Sequence, residues 1–281
     1  MRDGRSLLDD PRARAGAAVL ALCVLAAILA PLLGGDPYLQ RDIVATRFLP
    51  PLATDSHGAF HLIGTDRFGR DVWARLLAGA RVSLLVGLVV VSVSASVGLV
   101  VGALAGYAGG LVDEIVSRVI DVLLAFPGIL LAIALVAVLG PSLTNVVIAL
   151  ASIGWVGYAR LVRGQVLKAR EFEFVQAARA LGAGPLGILA RHIVPTAIPA
   201  LVVQATLGMA GAILAEAALS FLGLGVQPPT PSWGTMINGG RAHLIDAPHL
   251  TVFPGLAIAV VVLGFNFLGD GLRDRLDPRR L

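Results

Sequence analysis

The sequence predicts an all-α integral membrane protein with six transmembrane helices. Of its 281 residues, 57% are hydrophobic and only 14% are charged, whereas about a quarter of the residues in soluble domains are charged. The mean hydropathy is +0.84. Uncharged runs also recur at the length of about 20 residues that a helix needs to cross the hydrocarbon core. Because these runs do not alternate polar and apolar residues, they exclude a transmembrane β-barrel.

The uncharged runs divide the chain into successive spans. The turn Gly140-Pro141-Ser142 separates the third span from the fourth. After trimming to bilayer length, spans are predicted near residues 15–33, 82–106, 116–139, 143–159, 197–223 and 252–269. The chain then comprises residues 1–80 with the first span and a long loop, residues 81–270 with five spans, and a tail of residues 271–281.

The distribution of basic residues predicts the orientation, because short cytoplasmic loops accumulate Lys and Arg. With a cytoplasmic N-terminus, 15 of the 22 basic residues fall in cytoplasmic segments. Six of the other seven lie in the long loop before the second span, where the rule is weaker. Both termini are therefore predicted in the cytoplasm. The long apolar core of the first span favours a retained helix over a cleaved signal peptide.

The segment between the fourth and fifth spans, residues 160–195, is predicted to form a helical hairpin. Residues 171–181 combine helix formers with apolar side chains at helical spacing. Gly182 and Gly184 would end that helix, and Pro185 is suited to open a second one. Alanines on an exposed turn would leave room for the groove of a partner protein. The alternative is an ordinary amphipathic helix at the membrane surface.

Small residues recur at every fourth position in the second span. This ladder comprises Ser94, Gly98, Gly102 and Gly106. Small side chains let a second helix approach closely in lipid. We favour tight packing inside one bundle over a dimer interface as the role of this ladder.

Glu216 is the single charge in an otherwise uncharged run from Ile193 to Gly240. Carboxylates inside a membrane are costly, which makes such a residue a functional candidate. Glu216 follows Gly208 and Ala212 at a spacing of four, so it is predicted on the side facing the bundle. Glu216, with Ser220 one turn later, is a candidate for gating or for lining a pathway. A structural hydrogen bond to a neighbouring helix is the alternative that we slightly favour.

The long loop carries charges of alternating sign and two histidines. Asp66, Arg67, Arg70 and Asp71 alternate in sign, which usually marks a solvated or mutually paired surface. His57 and His61 are four residues apart, a spacing that suits a metal on a helix. The residues between them supply no further ligand and the loop is not expected to be helical there, so no metal site is predicted.

The sequence lacks the motifs of several enzyme classes. Lys168 is the only lysine, and it lies between Leu167 and Ala169, whereas a phosphate-binding loop needs Lys followed by Ser or Thr. The sequence shows no zinc-ligand cluster, nucleophile elbow or paired carboxylates. We therefore predict no catalytic residue, no cofactor and no ATP hydrolysis in this chain. Membrane lipid is an expected neighbour, whereas no basic stripe with interleaved aromatic residues predicts binding to nucleic acid.

Three stretches of the sequence resemble a known family. The run Phe174-Val175-Gln176-Ala177-Ala178-Arg179-Ala180-Leu181-Gly182, followed by Ile193-Val194-Pro195, is similar to the cytoplasmic "EAA" loop of permease subunits in bacterial ABC importers. Gly64-Thr65-Asp66 with Gly69-Arg70-Asp71, and the run from Glu216 to Gly234, resemble the C-type permease of dipeptide, oligopeptide and nickel importers. This resemblance covers nearly the whole chain.

The resemblance implies a permease domain in residues 81–270, located in the bacterial cytoplasmic membrane. It implies three kinds of partner, which are a B-type permease in a heterodimer, two ATPase subunits and an extracytoplasmic binding protein. It also implies transport by alternating access driven by ATP. The residues it assigns to the ATPase-docking coupling helix are Phe174, Gln176, Ala177, Ala178, Arg179, Leu181 and Gly182. Gln176 departs from the motif, which has Glu at this position, so any salt bridge from it is in doubt.

The resemblance also suggests outer contacts and a substrate class. Asp66, Arg70, Asp71 and Trp233 are candidates for contact with the binding protein. The alternative for Trp233 is an anchor at the membrane interface, which is the commoner use of tryptophan. Peptides are the expected substrate, and nickel is the alternative within the same family. A secondary transporter that couples ion movement through Glu216 is the rival from another class.

Overall fold

The computed structural model describes residues 10–40 and 42–276 of the chain. Arg41 and the arginines before residue 10 and after residue 276, which the predicted orientation also used, lie outside the described residues. The helices are α1 (Pro11–Ile28), α2 (Ala30–Leu33), α3 (Ile43–Thr46), α4 (Val72–Ala108), α5 (Gly110–Leu124), α6 (Gly128–Leu139), α7 (Leu143–Ala169), α8 (Glu173–Ala180), α9 (Pro185–Ile188), α10 (Val194–Phe221), α11 (Trp233–Gly240) and α12 (His249–Leu276). Two short antiparallel strands, β1 (Ala53–Thr54) and β2 (Phe60–His61), form a hairpin between α3 and α4.

The predicted all-α membrane fold is confirmed. Five helical stretches in the described residues are long and apolar enough to cross a membrane: Pro11–Ile28, Val72–Ala108, Leu143–Ala169, Pro185–Phe221 and His249–Leu276. A π-helical turn, Leu189–Ile193, joins α9 to α10, so the fourth of these stretches is continuous. The bent pair α5 and α6 supplies a sixth span if the two helices count as one.

The third span differs from its prediction as one helix over residues 116–139. α5 and α6 meet at an angle of 86°. The break precedes α6, whose N-cap is Pro127. Proline has no backbone N–H to continue the helical ladder, and it disfavours helical geometry in the residue before it. The bend therefore has a local cause in the sequence.

Ion pairs hold α5 against α7. Arg163 makes a two-pronged contact with Asp113, and one of its two hydrogen bonds, from Nη2 to Asp113 Oδ2, measures 2.7 Å. Arg160 Nη2 lies 2.7 Å from Asp121 Oδ1 on the same two helices. These pairs hold the acidic side chains of α5 beside α7, toward the end of the bundle that contains α8.

The small-residue ladder of α4 packs against α7. A Cβ atom added at Gly102 would lie 3.0 Å from Cα of Ala159, and one added at Gly106 would lie 3.1 Å from Cβ of Val166. Such distances leave no room for a side chain on α4. The prediction that the ladder packs inside one bundle is confirmed.

The described chain ends lie side by side. Gly271 near the end of α12 packs against Ala13 at the start of α1, and a Cβ atom added at Gly271 would lie 3.5 Å from Oδ2 of Asp10. α12 continues to Leu276, beyond the predicted end of the span at residue 269. Because the start of the first span and the end of the last span lie on the same side, the described chain crosses an even number of times. The bent pair α5–α6 therefore counts as one crossing, which gives six in the described residues.

The two ends of the bundle carry different structures. At one end, Phe48 and Ile63 of the long loop pack with α11 around a small core that also contains Val72, Met236, Ala247 and Leu250. At the other end, the chain leaves α7 and forms the α8–α9 hairpin. There, Nη1 of Arg170 donates to the carbonyl of Gly106 at 3.2 Å, which ties the ends of α4 and α7 together. We call these the α11 end and the α8 end.

Candidate functional site

The α8–α9 hairpin is anchored by its inner face. Val175 is completely buried, and it belongs to the same apolar core as Ile188, Leu189 and Ile193. Ala178 is half-buried and packs against this core. The hairpin is therefore a rigid extension of the bundle, connected directly to the start of α10.

The outer face of the hairpin exposes apolar side chains. Leu181 is 88% exposed, and Phe174 and Leu186 are 46% and 74% exposed. Phe172 lies beside Phe174, with ring centroids 5.6 Å apart. Sequence reasoning missed Phe172 and Leu186 because it followed only the helix that contains Ala177. Their signal was available as large apolar residues in a segment too polar to enter the membrane.

Gly182 ends α8 in a left-handed conformation with φ of 83°. The amide of Ala183 returns to the carbonyl of Ala178 at 3.1 Å, which closes the end of the helix. An added Cβ atom at Gly182 would meet nothing within 4 Å. The backbone conformation, and not a lack of space, therefore favours glycine here.

Gln176 and Arg179 lie on an exposed side of α8. Nε2 of Gln176 donates to the carbonyl of Glu171 at 3.2 Å. A glutamate could not make this bond, because a carboxylate is only an acceptor. A shallow surface depression next to this bond is lined by Arg170, Glu171, Gln176, Arg179 and Ala180.

Glu216 is completely buried and makes two hydrogen bonds within the bundle. The hydroxyl of Ser83 in α4 donates to Oε2 at 3.1 Å. The hydroxyl of Ser220 donates to Oε1 at 2.7 Å. Each carboxylate oxygen thus has at least one serine donor, and the arrangement supports the structural reading of Glu216. Ser83 was missed from the sequence, because nothing local connects it to a residue in α10.

The start of α11 completes this buried network. The backbone N–H of Trp233 points to Oγ of Ser83 at 3.4 Å, and the backbone N–H of Val226 points to Oγ of Ser220 at 3.4 Å. Gly234 packs so closely on α10 that an added Cβ atom would lie 2.7 Å from Cβ of Ser220. The network therefore joins α4, α10 and α11.

The candidate outer-contact residues are largely engaged with their own chain. Asp66 accepts from Nε of Arg70 at 2.7 Å and lies 3.5 Å from Nε of Arg75. Asp71 caps α4 by accepting from the amide of Ala74 at 2.8 Å. Trp233 is only 2% exposed, and its indole N–H donates to the carbonyl of Leu76 at 3.1 Å. Trp233 is therefore a packing residue, and neither a membrane anchor nor an exposed contact.

His61 lies between two carboxylates at the α11 end. Its Nδ1 is 2.6 Å from Oδ2 of Asp71, and its Nε2 is 3.5 Å from Oδ2 of Asp55. The backbone N–H groups of Ala59 and His57 hold the pKa of Asp55 below its ordinary value, with Ala59 the larger cause and His61 adding to the effect. In the described ranges, no three His, Cys, Asp or Glu residues are grouped to hold a metal ion.

Comparison with known families and proteins gives consistent matches. Residues 98–281 match the family model described as "Binding-protein-dependent transport system inner membrane component". The dipeptide transport system permease protein DppC of Alkalihalophilus pseudofirmus is 45% identical over 275 residues, covering 98% of this chain and 88% of that protein. A putative peptide transport system permease protein of Brucella abortus is 47% identical, covering 98% of this chain and 90% of that protein.

A third relative and a solved structure extend these matches. The glutathione transport system permease protein GsiD of Shigella flexneri is 53% identical over 219 residues, which is 78% of this chain and 72% of that protein. A chain from the structure of the MetNI methionine ABC transporter in inward-facing conformations superposes with a TM-score of 0.59 at 20% identity. It covers 72% of this chain and 96% of that chain, and at this identity the match concerns the fold alone.

Proposed function

Because the chain belongs to the family of inner membrane components of binding-protein-dependent transport systems, we propose that it carries peptides across the membrane as the permease subunit of an ABC importer. It is a multi-pass inner membrane protein of a transport system that also contains ATPase subunits and a binding protein. The observation that carries the substrate class is the near full-length similarity to permeases named for dipeptide and peptide transport.

The α8–α9 hairpin is the proposed docking element for an ATPase subunit. Exposed apolar side chains on a protein surface often mark interaction sites, and Phe174, Leu181 and Leu186 are all exposed on this one hairpin at the α8 end. An ATPase works in the cytoplasm, so this assignment places the α8 end and both termini there. The excess of basic residues predicted on the same side supports that orientation.

The energy for transport is proposed to come from partner subunits. The chain has no phosphate-binding loop around Lys168, so ATP hydrolysis is assigned to two ATPase subunits. The second half of the pathway is assigned to a B-type permease, and delivery of the peptide to a binding protein at the α11 end. Asp66 and Arg70 help to shape that end through their mutual ion pair.

The hairpin is suited to transmit movement from an ATPase to the bundle. Val175 is buried in the core that also contains Ile193 at the start of α10. Closure of the ATPase subunits would therefore displace α8 and α10 together, and would switch the bundle between inward-facing and outward-facing states. Because Glu216 is held by two serine hydroxyls, it is assigned to the structure of the bundle and not to ion coupling.

Co-purification of the tagged chain tests the docking assignment. Leu181→Arg is the sharpest variant, because Leu181 is 88% exposed, whereas Ala178 is half-buried and Gly182 has a restricted backbone. We expect Leu181→Arg to lose the ATPase subunits while it retains the second permease. The matched control is Ile245→Arg, at a residue that is 94% exposed near the α11 end, and it should retain both.

Two results would overturn the proposal. Retention of ATPase subunits by Leu181→Arg at wild-type levels would contradict docking at α8. Uptake of peptide that survives ATP depletion but stops with an uncoupler would contradict the importer assignment and favour a secondary transporter. Uptake with the opposite behaviour supports the importer.

A further inference from the structure

A cleft of about 300 Å³ opens between α4, α6, α7 and α10. This volume lies at the lower end of the range of about 300–1,000 Å³ that is typical of sites for small molecules. Glycines line much of its surface: Gly128, Gly154, Gly157, Gly208 and Gly211. Without side chains at these positions, an extended ligand could approach the helices closely. Small residues alone would equally suit a packed helix, so the polar groups in the cleft decide between these occupants.

Ser94 supplies an unpartnered hydroxyl to this cleft. Its side chain lines the cleft although the residue is only 1% exposed. Within the described residues, its Oγ has no hydrogen-bond partner. A buried hydroxyl without a partner destabilises a fold. A polar ligand that enters between Ser94 and Gly154 and reaches this oxygen would relieve that cost.

Gln204 supplies an exposed amide near the middle of α10. Its side chain is exposed and lines the same cleft, and polar side chains within spans rarely face lipid. Tyr158 brings a third group, because its ring is buried while its hydroxyl lies against Gly208 in the lining of the cleft. A serine hydroxyl, a phenol and an amide therefore converge from α4, α7 and α10.

Gln204 also connects this cleft to a second one. The second cleft lies between α7, α10 and α12 and contains the polar residues Gln165, Thr196 and Arg273 together with Gln204. Arg273 lies in the last turn of α12, near the α8 end. The two clefts thus meet at Gln204, and the second one extends to the end that the proposed function places in the cytoplasm.

We propose that Ser94, Tyr158 and Gln204 line the translocation pathway and bind the main chain of a passing peptide. This inference rests on the proposed function and names the residues that would contact the substrate. All three groups are uncharged and can both donate and accept hydrogen bonds, which matches the N–H and C=O groups that every peptide carries. They would recognise the backbone and not particular side chains. A helix of the partner permease packed into the cleft is the competing occupant.

Cysteine labelling tests whether the cleft is a watery pathway. Cys23 is the chain's single cysteine, so Cys23→Ala frees this chain of thiols, and labelling is read on this chain alone after the subunits are separated. Gln204→Cys is compared with Val202→Cys, a residue that is 42% exposed on the opposite face of α10 at nearly the same depth. The assembled transporter in nanodiscs is treated with a charged maleimide, with and without ATP, the binding protein and the dipeptide dialanine.

We expect Gln204→Cys to react at least tenfold faster than Val202→Cys, and dialanine to slow that reaction under transport conditions. Equal, slow labelling of both positions would overturn the proposal and indicate a packed helix. Fast labelling of Gln204→Cys that dialanine leaves unchanged would also overturn it, because the wet surface would then not hold peptide. Absence of ATP-driven dialanine uptake by the complex with the unmodified chain would contradict the proposed function instead.

Ser94→Ala provides a second measurement that does not depend on labelling. Because Oγ of Ser94 has no partner in the described part of the chain, removing it should leave the melting temperature unchanged or higher. We expect the KM for dialanine uptake to rise about threefold, while ATPase activity stimulated by the binding protein persists. An unchanged KM, or a KM change accompanied by a lower melting temperature, would overturn a role in binding the peptide.

Discussion

The hydroxyl of Ser83 in α4 donates to the carboxylate of Glu216 in α10, 133 residues away in sequence, at a distance of 3.1 Å. A serine hydroxyl has one proton, and Ser83 directs it to Glu216 while its oxygen faces the backbone N–H of Trp233. Ser220 is arranged in the same way, between Glu216 and Val226. Both carboxylate oxygens are therefore acceptors, and the side chain of Glu216 joins α4, α10 and α11.

Glu216→Gln should weaken the bundle without stopping transport. The glutamine amide would present a donor to one of the two serine hydroxyls, which is already a donor. We expect the free energy of unfolding to fall by about 1–3 kcal/mol, the usual cost of an unsatisfied buried polar group, with uptake per assembled complex maintained. Thermal unfolding of the purified complex and uptake normalised to its abundance are the two measurements.

Ser83→Ala and the double variant provide the control for this prediction. Because Ser83 and Glu216 share one network, their effects on unfolding should be less than additive in the double variant. Normal stability combined with lost uptake in Glu216→Gln would instead assign Glu216 to the translocation pathway.

The spanning helices could be predicted from the sequence because an uncharged run of sufficient length is a local property. The bend in the third span was missed, although Pro127 was a local signal for it. The long uncharged run that follows Asp121 resembles one continuous span, so the run itself gives no sign that α5 and α6 are each short. Ion pairs from Arg160 and Arg163, which only the fold brings close, then hold α5 aside from α6.

The candidate sites were predicted less completely, because their partners lie far away in sequence. Glu216 could be identified as a single charge in an apolar run, but Ser83 could not. Burial was also hard to predict: Trp233 follows a proline-rich segment typical of an exposed loop, yet the packing of α11 on α4 and α10 buries it. In the hairpin, Ala178 lies one turn from Val175 and on the same face of α8. Both therefore face the core beneath the hairpin, which only the fold assembles.

The partly buried ion pair between Arg163 and Asp113 should stabilise the fold more than its exposed neighbour. The side chains of Arg163 and Asp113 are 30% and 19% exposed, whereas those of Arg160 and Asp121 are 56% and 62% exposed. Exposed pairs contribute between about 0 and 1 kcal/mol, and pairs with two hydrogen bonds in partly buried sites contribute more. We expect Asp113→Asn to lower the free energy of unfolding by about 1–2 kcal/mol, and Asp121→Asn by less than about 0.5 kcal/mol.

Thermal unfolding at low and high salt checks this comparison. Salt screens exposed charges more strongly than buried ones. The loss of stability in Asp113→Asn should therefore persist in 1 M salt. The Debye length of that solution is roughly 3 Å, and the paired atoms Nη2 of Arg163 and Oδ2 of Asp113 are 2.7 Å apart. Equal losses of stability in the two variants would show that the α5–α7 contact does not depend on the Arg163 pair.

Asp55 should make the β1–β2 hairpin sensitive to acid. Its Oδ1 accepts from the amides of Ala59 at 2.8 Å and His57 at 2.9 Å, and the resulting pKa is lower than in an unfolded chain. A lowered pKa contributes stability that is present above the unfolded-state value of about 3.9 and is lost as the pH falls through the folded-state value. We expect hydrogen-exchange protection of the hairpin to persist at about pH 5 and to decline below about pH 4.

Asp55→Ala should remove that protection already at neutral pH. Asp36→Ala is the matched control in the same loop, because Asp36 accepts only a local, exposed hydrogen bond from the amide of Tyr38 at 2.8 Å. After correction for the intrinsic exchange rate, the control should retain the wild-type pH profile in residues 53–61. Identical profiles in wild type and Asp55→Ala would rule out Asp55 as the group that titrates.

Gly102→Ala should destabilise the bundle through the contact between α4 and α7. A Cβ atom there would lie 3.0 Å from Cα of Ala159 and 3.1 Å from its carbonyl carbon, and backbone atoms cannot move aside as a flexible side chain can. Overpacking of this kind costs about 1–3 kcal/mol. In lipid, close helix contacts depend on van der Waals packing and not on exclusion of water. If α4 and α7 moved apart to make room for the methyl group, the loss of that packing would carry a similar cost.

Gly255→Ala is the control, because it makes the same change in α12, where an added Cβ atom meets nothing within 4 Å. It should leave the melting temperature unchanged or slightly higher. If both variants unfold at the same temperature, the ladder of α4 does not set the distance to α7.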